Sequence, residues 1–275
     1  MLFLLGAGLI RAQEPFHNPV HLTPAEGLPH SWVYDFEEDE QGFIWIGTYG
    51  GLCRFDGSSV LPVDDNGPTL RVRSLQRTGD TLWIGAFDGA ALMNLETGRL
   101  ENFPVYQMLK AEKTEDQSVR AMYQDRQGYL WMAPAHQGFV RLNPATGQLR
   151  HFPLPPSKAI PAVHSDRDKY SLMQIVQDVE HDSIFWGITF CDLVKLNAVT
   201  GKVDRYRCEH GNEEMAYNIN RHKSMHAHSD GKIYLGSWER GLSVFDPSTE
   251  RYKIPFENGY KDWRRQLNKE HLHGI

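Results

Sequence analysis

The chain has 275 residues, of which 40% are hydrophobic and 11% aromatic, enough for a sizeable core in one large domain or two small ones. Its net charge of -6 at pH 7 is spread without an acidic or basic block, which leaves no electrostatic footprint for nucleic acid or an anionic membrane. No run approaches the roughly 18 apolar residues of a membrane-spanning helix, and the 24 Gly and 15 Pro are scattered as many short strands joined by turns require.

The chain opens on an apolar run, Leu2 to Ile10, followed by Arg11-Ala12-Gln13-Glu14-Pro15. A short apolar stretch ending in small residues is the pattern of a secretory signal peptide. It predicts export and removal of residues 1–13, with one folded unit over 14–275. No Lys or Arg precedes the run, and a start codon lying further upstream would supply one. The alternative is an apolar N-terminal strand. Phe16–Thr23 reads as a strand apart from its sheet-mates, because Gly27-Leu28 and a fresh strand pattern follow it.

From there one pattern recurs five times. Two apolar residues three apart are followed by a polar turn and then by a strand carrying a large aromatic. The copies read Val33, Phe36, Asp39, Trp45; Val72, Leu75, Trp83; Val119, Met122, Asp125, Trp131; Leu172, Ile175, Asp178, Trp186; and His222, Met225, His228, Tyr234. Each continues into a third strand ending at Phe55, Leu95, Leu142, Leu196 or Phe245. In copies two to four a Thr-Gly turn follows, and copies two to five close on a fourth strand with an aromatic at Phe103, Phe152, Tyr206 or Tyr252. The aromatics of the second strand are spaced by 38, 48, 55 and 48 residues.

Four short strands per repeat of about 40–50 residues is the signature of a β-propeller blade. One such sheet cannot bury both faces, so neighbours must stack, with the aromatic as a wedge between them. The Gly two residues later, as in Trp45-Ile46-Gly47, permits close backbone approach. The predicted fold is all-β: a propeller of four-stranded antiparallel blades, five present. Leu272-His273-Gly274-Ile275 matches Val33–Phe36 and reads as the start of a sixth. An inner strand left open would carry unpaired backbone groups. The expectation is therefore a ring incomplete at its C-terminus, seven blades being the whole. A complete five-bladed ring with a loose tail is the alternative.

Three cysteines leave at least one without an intrachain partner. Cys191 and Cys208 are equidistant from the turn Asn197–Lys202, so a regular hairpin would oppose them within disulfide reach. Two reduced thiols are the other reading, and Cys53 stays single in both.

No nucleophile elbow, phosphate loop, paired zinc-ligand motif or dinucleotide fingerprint occurs, and no cofactor or metal is expected. Asp39, Asp125 and Asp178 share one repeat position, where a carboxylate caps the turn after the inner strand. His222, His226 and His228 fall on one face of a regular strand, but two of them replace Val33 and Asp39, which favours packing and capping over metal binding. The start of strand one and the loop between strands two and three should share a rim. Four residues after the wedge aromatic stand Tyr49, Phe87, Ala135, Phe190 and Trp238, and beside the first apolar position stand Arg71, Arg73, Arg120, Arg221 and Lys223. Aromatic platforms around a basic mouth suit an anionic or neutral oligosaccharide. Packing between blades and solvated or paired bases are the plain alternative.

The stretch GLPHSWVYDFEEDEQGFIWIGTYGGLCRFDG, Gly27 to Gly57, closely resembles the two-component regulator propeller repeat, and the likeness extends along most of the chain, with blades two and four departing furthest. This resemblance implies the periplasmic part of a sensor, commonly a hybrid histidine kinase. Such a parent would carry a second propeller, a Y_Y_Y domain, a membrane helix and cytoplasmic kinase and regulator domains, and would act as a homodimer responding to glycans. The chain itself would then be a binding module and not an enzyme. A secreted propeller lyase or glycosidase, and a scaffold without a small ligand, are the competing readings.

Overall fold

The structure, a computed structural model, describes residues 21–63, 70–112, 114–156, 170–207, 222–237 and 241–253. The apolar N-terminal run, the sixth-blade segment, Cys208, Arg221 and Trp238 lie outside these residues.

Each repeat folds into its own four-stranded antiparallel sheet, ordered as the strands follow in sequence. Blade one comprises β1 (Val33–Glu38), β2 (Ile44–Thr48), β3 (Gly51–Phe55) and β4 (Val60–Pro62). Blade two is β5 (Val72–Thr78), β6 (Thr81–Ala86), β7 (Gly89–Asn94) and β8 (Leu100–Phe103). Blade three is β9 (Val119–Gln124), β10 (Leu130–Pro134), β11 (Phe139–Leu142) and β12 (Leu149–Phe152). Blade four is β13 (Gln174–Gln177), β14 (Ile184–Ile188), β15 (Leu193–Asn197) and β16 (Val203–Tyr206). Blade five is β17 (His222–Ala227), β18 (Ile233–Ser237), β19 (Gly241–Asp246) and β20 (Arg251–Lys253). The inner strands β1, β5, β9, β13 and β17 pack side by side in that order, the arrangement of a propeller.

An apolar pair three residues apart is odd for a strand, whose faces alternate with period two. The register explains it. A bulge falls between Val33 and Asp35, between Val72 and Ser74, and between His222 and Ser224, and β9 is irregular against β10 at the same place. One extra residue turns the first apolar side chain onto the face of the second. The same bulge corrects the expectation for the histidines. His222 is buried with Met225, whereas His226 and His228 are exposed.

The wedge aromatics sit in the seams. Trp45 packs with Val72, Leu75 and Ile84 of blade two, and Trp83 with Val119, Met122 and Met132 of blade three. Trp131 joins Leu172, Ile175 and Phe185 of blade four, and Trp186 joins Met225, Leu235 and Phe245 of blade five. Fully burying one such ring stabilises by roughly 1.5–3 kcal/mol. Close approach is built in: a Cβ on Gly85 would lie 2.6 Å from the Val119 carbonyl oxygen and collide with Ser74 Oγ.

Each indole is also tethered to its turn. Asp125 Oδ1 accepts from the backbone N–H of Gln127 at 3.0 Å and of Tyr129 at 2.9 Å, while its Oδ2 accepts from Trp131 Nε1 at 2.7 Å. Asp39 holds Trp45 at 2.9 Å and Asp178 holds Trp186 at 2.7 Å in the same way. In blade two the acceptor is Thr78 Oγ1, 2.8 Å from Trp83 Nε1.

Side chains latch consecutive inner strands together. Asp35 Oδ2 accepts from Leu75 N at 2.8 Å, and Gln174 Oε1, at the same repeat position, accepts from Met225 N at 2.6 Å. Two residues on, Glu37 Oε1 accepts from Arg77 N at 2.8 Å and Gln76 Oε1 from Gln124 N at 2.9 Å. Ser74 occupies the Asp35 position but is too short, and its buried hydroxyl has no partner among the described residues. Burial raises the pKa of the Asp35 carboxyl, against the bonds from Leu75 and Phe36 N–H groups.

Two segments differ from expectation. His21 to Thr23 do not continue a strand: Thr23 caps a 3-10 turn over Pro24–Glu26, with its N–H 2.8 Å from Glu26 Oε2. A short helix, α1 (Val105–Met108), follows β8 and buries Val105 and Tyr106 in the seam of blades two and three, where Tyr106 Oη donates to the Ser118 carbonyl at 3.0 Å.

Candidate functional site

The backbone itself joins the two halves of the rim. Tyr49 N donates to Trp32 O at 3.0 Å, Phe87 N to Arg71 O at 2.9 Å and Ala135 N to Ser118 O at 2.8 Å. The residue after strand two is thus tied to the residue before strand one in three successive blades.

On blades one and two this brings a connected set of rings to the surface. Tyr49 lies 5.3 Å from Phe87, 5.8 Å from Trp32 and 5.5 Å from His30, and Phe87 lies 5.6 Å from Tyr34. These are edge-on or tilted pairs at favourable ring separations. Trp32 and Tyr34 remain 62% and 41% exposed. The Arg73 guanidinium carbon is 4.6 Å from the Phe87 centroid and 5.8 Å from Tyr34, while that of Arg71 is 5.3 Å from Phe87 and 5.7 Å from Tyr49. Arg71 also grips Asp88, Nη2 to Oδ1 at 2.7 Å. That bond raises its pKa and offsets its charge locally.

The other predicted residues distribute differently. Arg120 lies beneath the rim, buried, with Asp116 Oδ2 at 2.7 Å and Ser118 Oγ at 3.3 Å. Burial opposes ionisation of Asp116, but the bonds from Ser118 and Arg120 prevail and hold its carboxyl well below the usual range. Ala135 is buried and carries no ring, so the platform is interrupted at blade three. There His136 adopts φ 64°, with its N–H 3.2 Å from Ser171 Oγ. Phe190 is met by Lys223 Nζ at 4.9 Å, a second and smaller pair at blades four and five. Cys191 is buried close by; β15 and β16 pair in the register that would oppose it to position 208, which lies beyond the described residues.

Trp32, Tyr34 and His30 were not among the expected site residues. The signal was present, since Trp32 and Tyr34 flank Val33 as Arg71 and Arg73 flank Val72. A cavity of about 290 Å³ adjoins the cluster at the seam of blades two and three, with Asp88, Asn102 and Gln107 among its polar lining and Leu70, Phe103 and Tyr106 among its apolar walls. Among the described residues no group of three His, Cys, Asp or Glu is placed to hold a metal ion. The His222 ring stacks at 6.4 Å on Tyr252, and burial pushes its pKa down to about 4.

Residues 27–50 and 115–135 match the family described as two component regulator propeller. Over 57 residues, 21% of this chain, the sequence is 40% identical to histidine kinase P4 of Formosa agariphila, of which the match covers 4%. Among solved structures, what is described as the extracellular domain of hybrid two component system BT3049 from B. thetaiotaomicron is similar with a TM-score of 0.61 at 21% identity. That match covers 85% of this chain and 31% of the other. Virginiamycin B lyase from Staphylococcus aureus is similar with a TM-score of 0.60 at 12% identity, over 83% of this chain and 72% of that one, which shows the shared fold alone. This chain therefore spans about a third of that extracellular domain and a small fraction of the kinase. Two of its five repeats carry the match to the two component regulator propeller family.

Proposed function

We propose that the chain is a ligand-sensing propeller of an exported two-component sensor, with residues 1–13 as its signal peptide, working in the periplasm. The output domains, a kinase among them, belong to the parent polypeptide, which signals as a dimer. A ligand acts by biasing the arrangement of the ectodomains, and it can shift that equilibrium only by its differential affinity for the two states.

The observation that carries this reading is the joined cluster of Trp32, Tyr34, Tyr49 and Phe87 with Arg71 and Arg73, whose blade-one members fall in a segment that matches the two component regulator propeller family. Exposed ring faces suit the apolar faces of sugar rings, and guanidinium groups suit hydroxyl or carboxylate oxygens. The ligand class is accordingly an oligosaccharide, neutral or anionic. Isothermal titration against a panel of neutral, uronate and sulfated oligosaccharides tests it. A ligand found there should bind Trp32→Ala about tenfold more weakly, the factor that 1.4 kcal/mol gives. Lys223→Ala, at the far pair, should leave that affinity unchanged. Full affinity in Trp32→Ala, or no binding across the panel, removes the rim as the sensing site.

A further inference from the structure

The linker from β8 to β9 does more than join two blades. With blade two it encloses the cavity of about 290 Å³, to which it contributes Tyr106, Gln107 and Gln117, while blade two contributes Asp88, Asn102 and Phe103. The linker is fixed by its own bonds. Tyr106 Oη donates to Ser118 O at 3.0 Å and Ala111 N to Tyr106 O at 3.1 Å. Asp116 accepts from Ser118 N at 3.0 Å and from Arg120 Nη2 at 2.7 Å. Phe103 meets Trp83 edge-on, with centroids 5.3 Å apart. The cavity is therefore preformed, as small-molecule sites usually are.

Its polar lining is of one kind. Asn102, Gln107 and Gln117 are neutral amides, and among the described residues none of these three side chains makes a hydrogen bond. An amide group both donates and accepts, which matches a hydroxyl, donor and acceptor in one group. Asp88 alone of the lining residues is charged. Arg71 already answers it, with Nη2 at 2.7 Å from Oδ1 and 2.8 Å from Oδ2. A charged guest would meet no spare countercharge in this lining, and a charge withdrawn from water without one is costly. The volume of about 290 Å³ stands at the lower end of the roughly 300–1,000 Å³ of ligand pockets, room for one small ring and not for a chain.

We propose that this cavity is a subsite for one neutral, polyhydroxylated ring, the end unit of an oligosaccharide whose other units lie on the rim. Asn102, Gln107 and Gln117 take its hydroxyls, and Phe103 and Tyr106 supply apolar wall. Phe87 and Asp88 are successive residues, and Arg71 touches both, its guanidinium carbon 5.3 Å from the Phe87 centroid. A sugar chain laid across Phe87 and Arg71 thus arrives at the cavity beside Asp88. This assignment rests on the oligosaccharide reading of the rim and narrows it: whatever charge the rim units carry, the end unit is neutral.

The test is titration of the full-length gene product with the oligosaccharide panel and with the neutral and uronate monosaccharides that form its end units. Asn102 and Gln107 are exposed, so Asn102→Ala combined with Gln107→Ala removes two amides and spares both the fold and the rim. The double variant should bind a neutral-ended oligosaccharide more weakly by on the order of tenfold, and the free neutral monosaccharide should compete with that oligosaccharide in the parent protein. Parental affinity in the double variant, with affinity lost in Trp32→Ala, overturns the subsite and keeps the rim. The reverse pattern overturns the rim and supports the cavity as the sugar site. Equal or stronger competition by the uronate overturns the neutral assignment, and a parent protein that binds no sugar of either size overturns both readings.

Discussion

Asp125→Asn is nearly isosteric, yet the geometry makes it a severe change. The carboxylate answers three donors, two turn N–H groups at one oxygen and the Trp131 indole at the other. An amide has one oxygen. Turned toward the loop, it points its NH2 at the Trp131 N–H, donor against donor. Turned toward the indole, it abandons Gln127 and Tyr129. Asp125 and Trp131 are both buried, so water cannot fill the vacancy. A hydrogen bond to a charged group contributes about 1.5–3 kcal/mol and an unmet buried donor costs about 1–3 kcal/mol, which sets the expected loss at about 2–4 kcal/mol. Equilibrium urea unfolding followed by far-UV circular dichroism measures it. Trp131→Phe removes the donor, so the double variant should recover part of the Asn cost, a coupling of about 1–2 kcal/mol. Thr78→Val breaks the matching but neutral bond in blade two and should cost only about 1 kcal/mol. An Asp125→Asn protein within about 0.5 kcal/mol of the parent, the ordinary scatter of surface changes, would refute the tether as a source of stability.

Three further outcomes are expected. Gly85→Ala places a Cβ 2.6 Å from the Val119 carbonyl oxygen, a backbone atom that cannot swing aside, and should destabilise by about 1–3 kcal/mol as overpacking does, read as a lowered Tm. His222 has a folded pKa of about 4, below its unfolded value of 6.5. Its neutral burial therefore adds stability that is complete above pH 6.5 and is lost as pH falls from there toward 4, about 3 kcal/mol in all. His222→Leu, the residue type at this place in blade four, should flatten that part of the stability profile; an unchanged slope assigns it to other groups. Burial raises the Cys53 thiol to about 11, so iodoacetamide at pH 8 should modify it only in denaturant, as mass spectrometry of the native and unfolded protein will show.

Much of the fold is legible because the propeller repeats its reasons. The apolar pairs and the wedge aromatics recur from blade to blade, and the turn carboxylates Asp39, Asp125 and Asp178 hold their indoles in blades one, three and four. What the pattern hides is whatever depends on a neighbour. The i, i+3 spacing becomes intelligible only with the bulge, and the bulge also separates His222 from His226 and His228, which a regular strand would align. The bond from Asp125 to its own Trp131 needs the strand to curl back over its turn, and the Asp35 and Gln174 latches need the distance between blades. Neither distance is written in one repeat. The rim was half legible: Tyr49 and Phe87 were found through the loop position, whereas Trp32 and Tyr34 hold places where other blades carry Arg or Lys.

That variation bears on function. The wedge position is occupied by Trp in four blades and by Tyr in the fifth, since the seam needs a ring there. Four residues later the rim position reads Tyr49, Phe87, Ala135 and Phe190, and blade three with Ala135 closes its seam as well as the others. The fold therefore does not require an aromatic on the rim. Nor does it require Arg71 and Arg73, whose place beside the inner strand is taken by Trp32 and Tyr34 one blade earlier. Exposed rings cost solubility and long cationic side chains cost entropy when held over them. Residues that the seams do not need, concentrated on two adjoining blades and in mutual contact, are where a binding function has room to act without disturbing the propeller beneath.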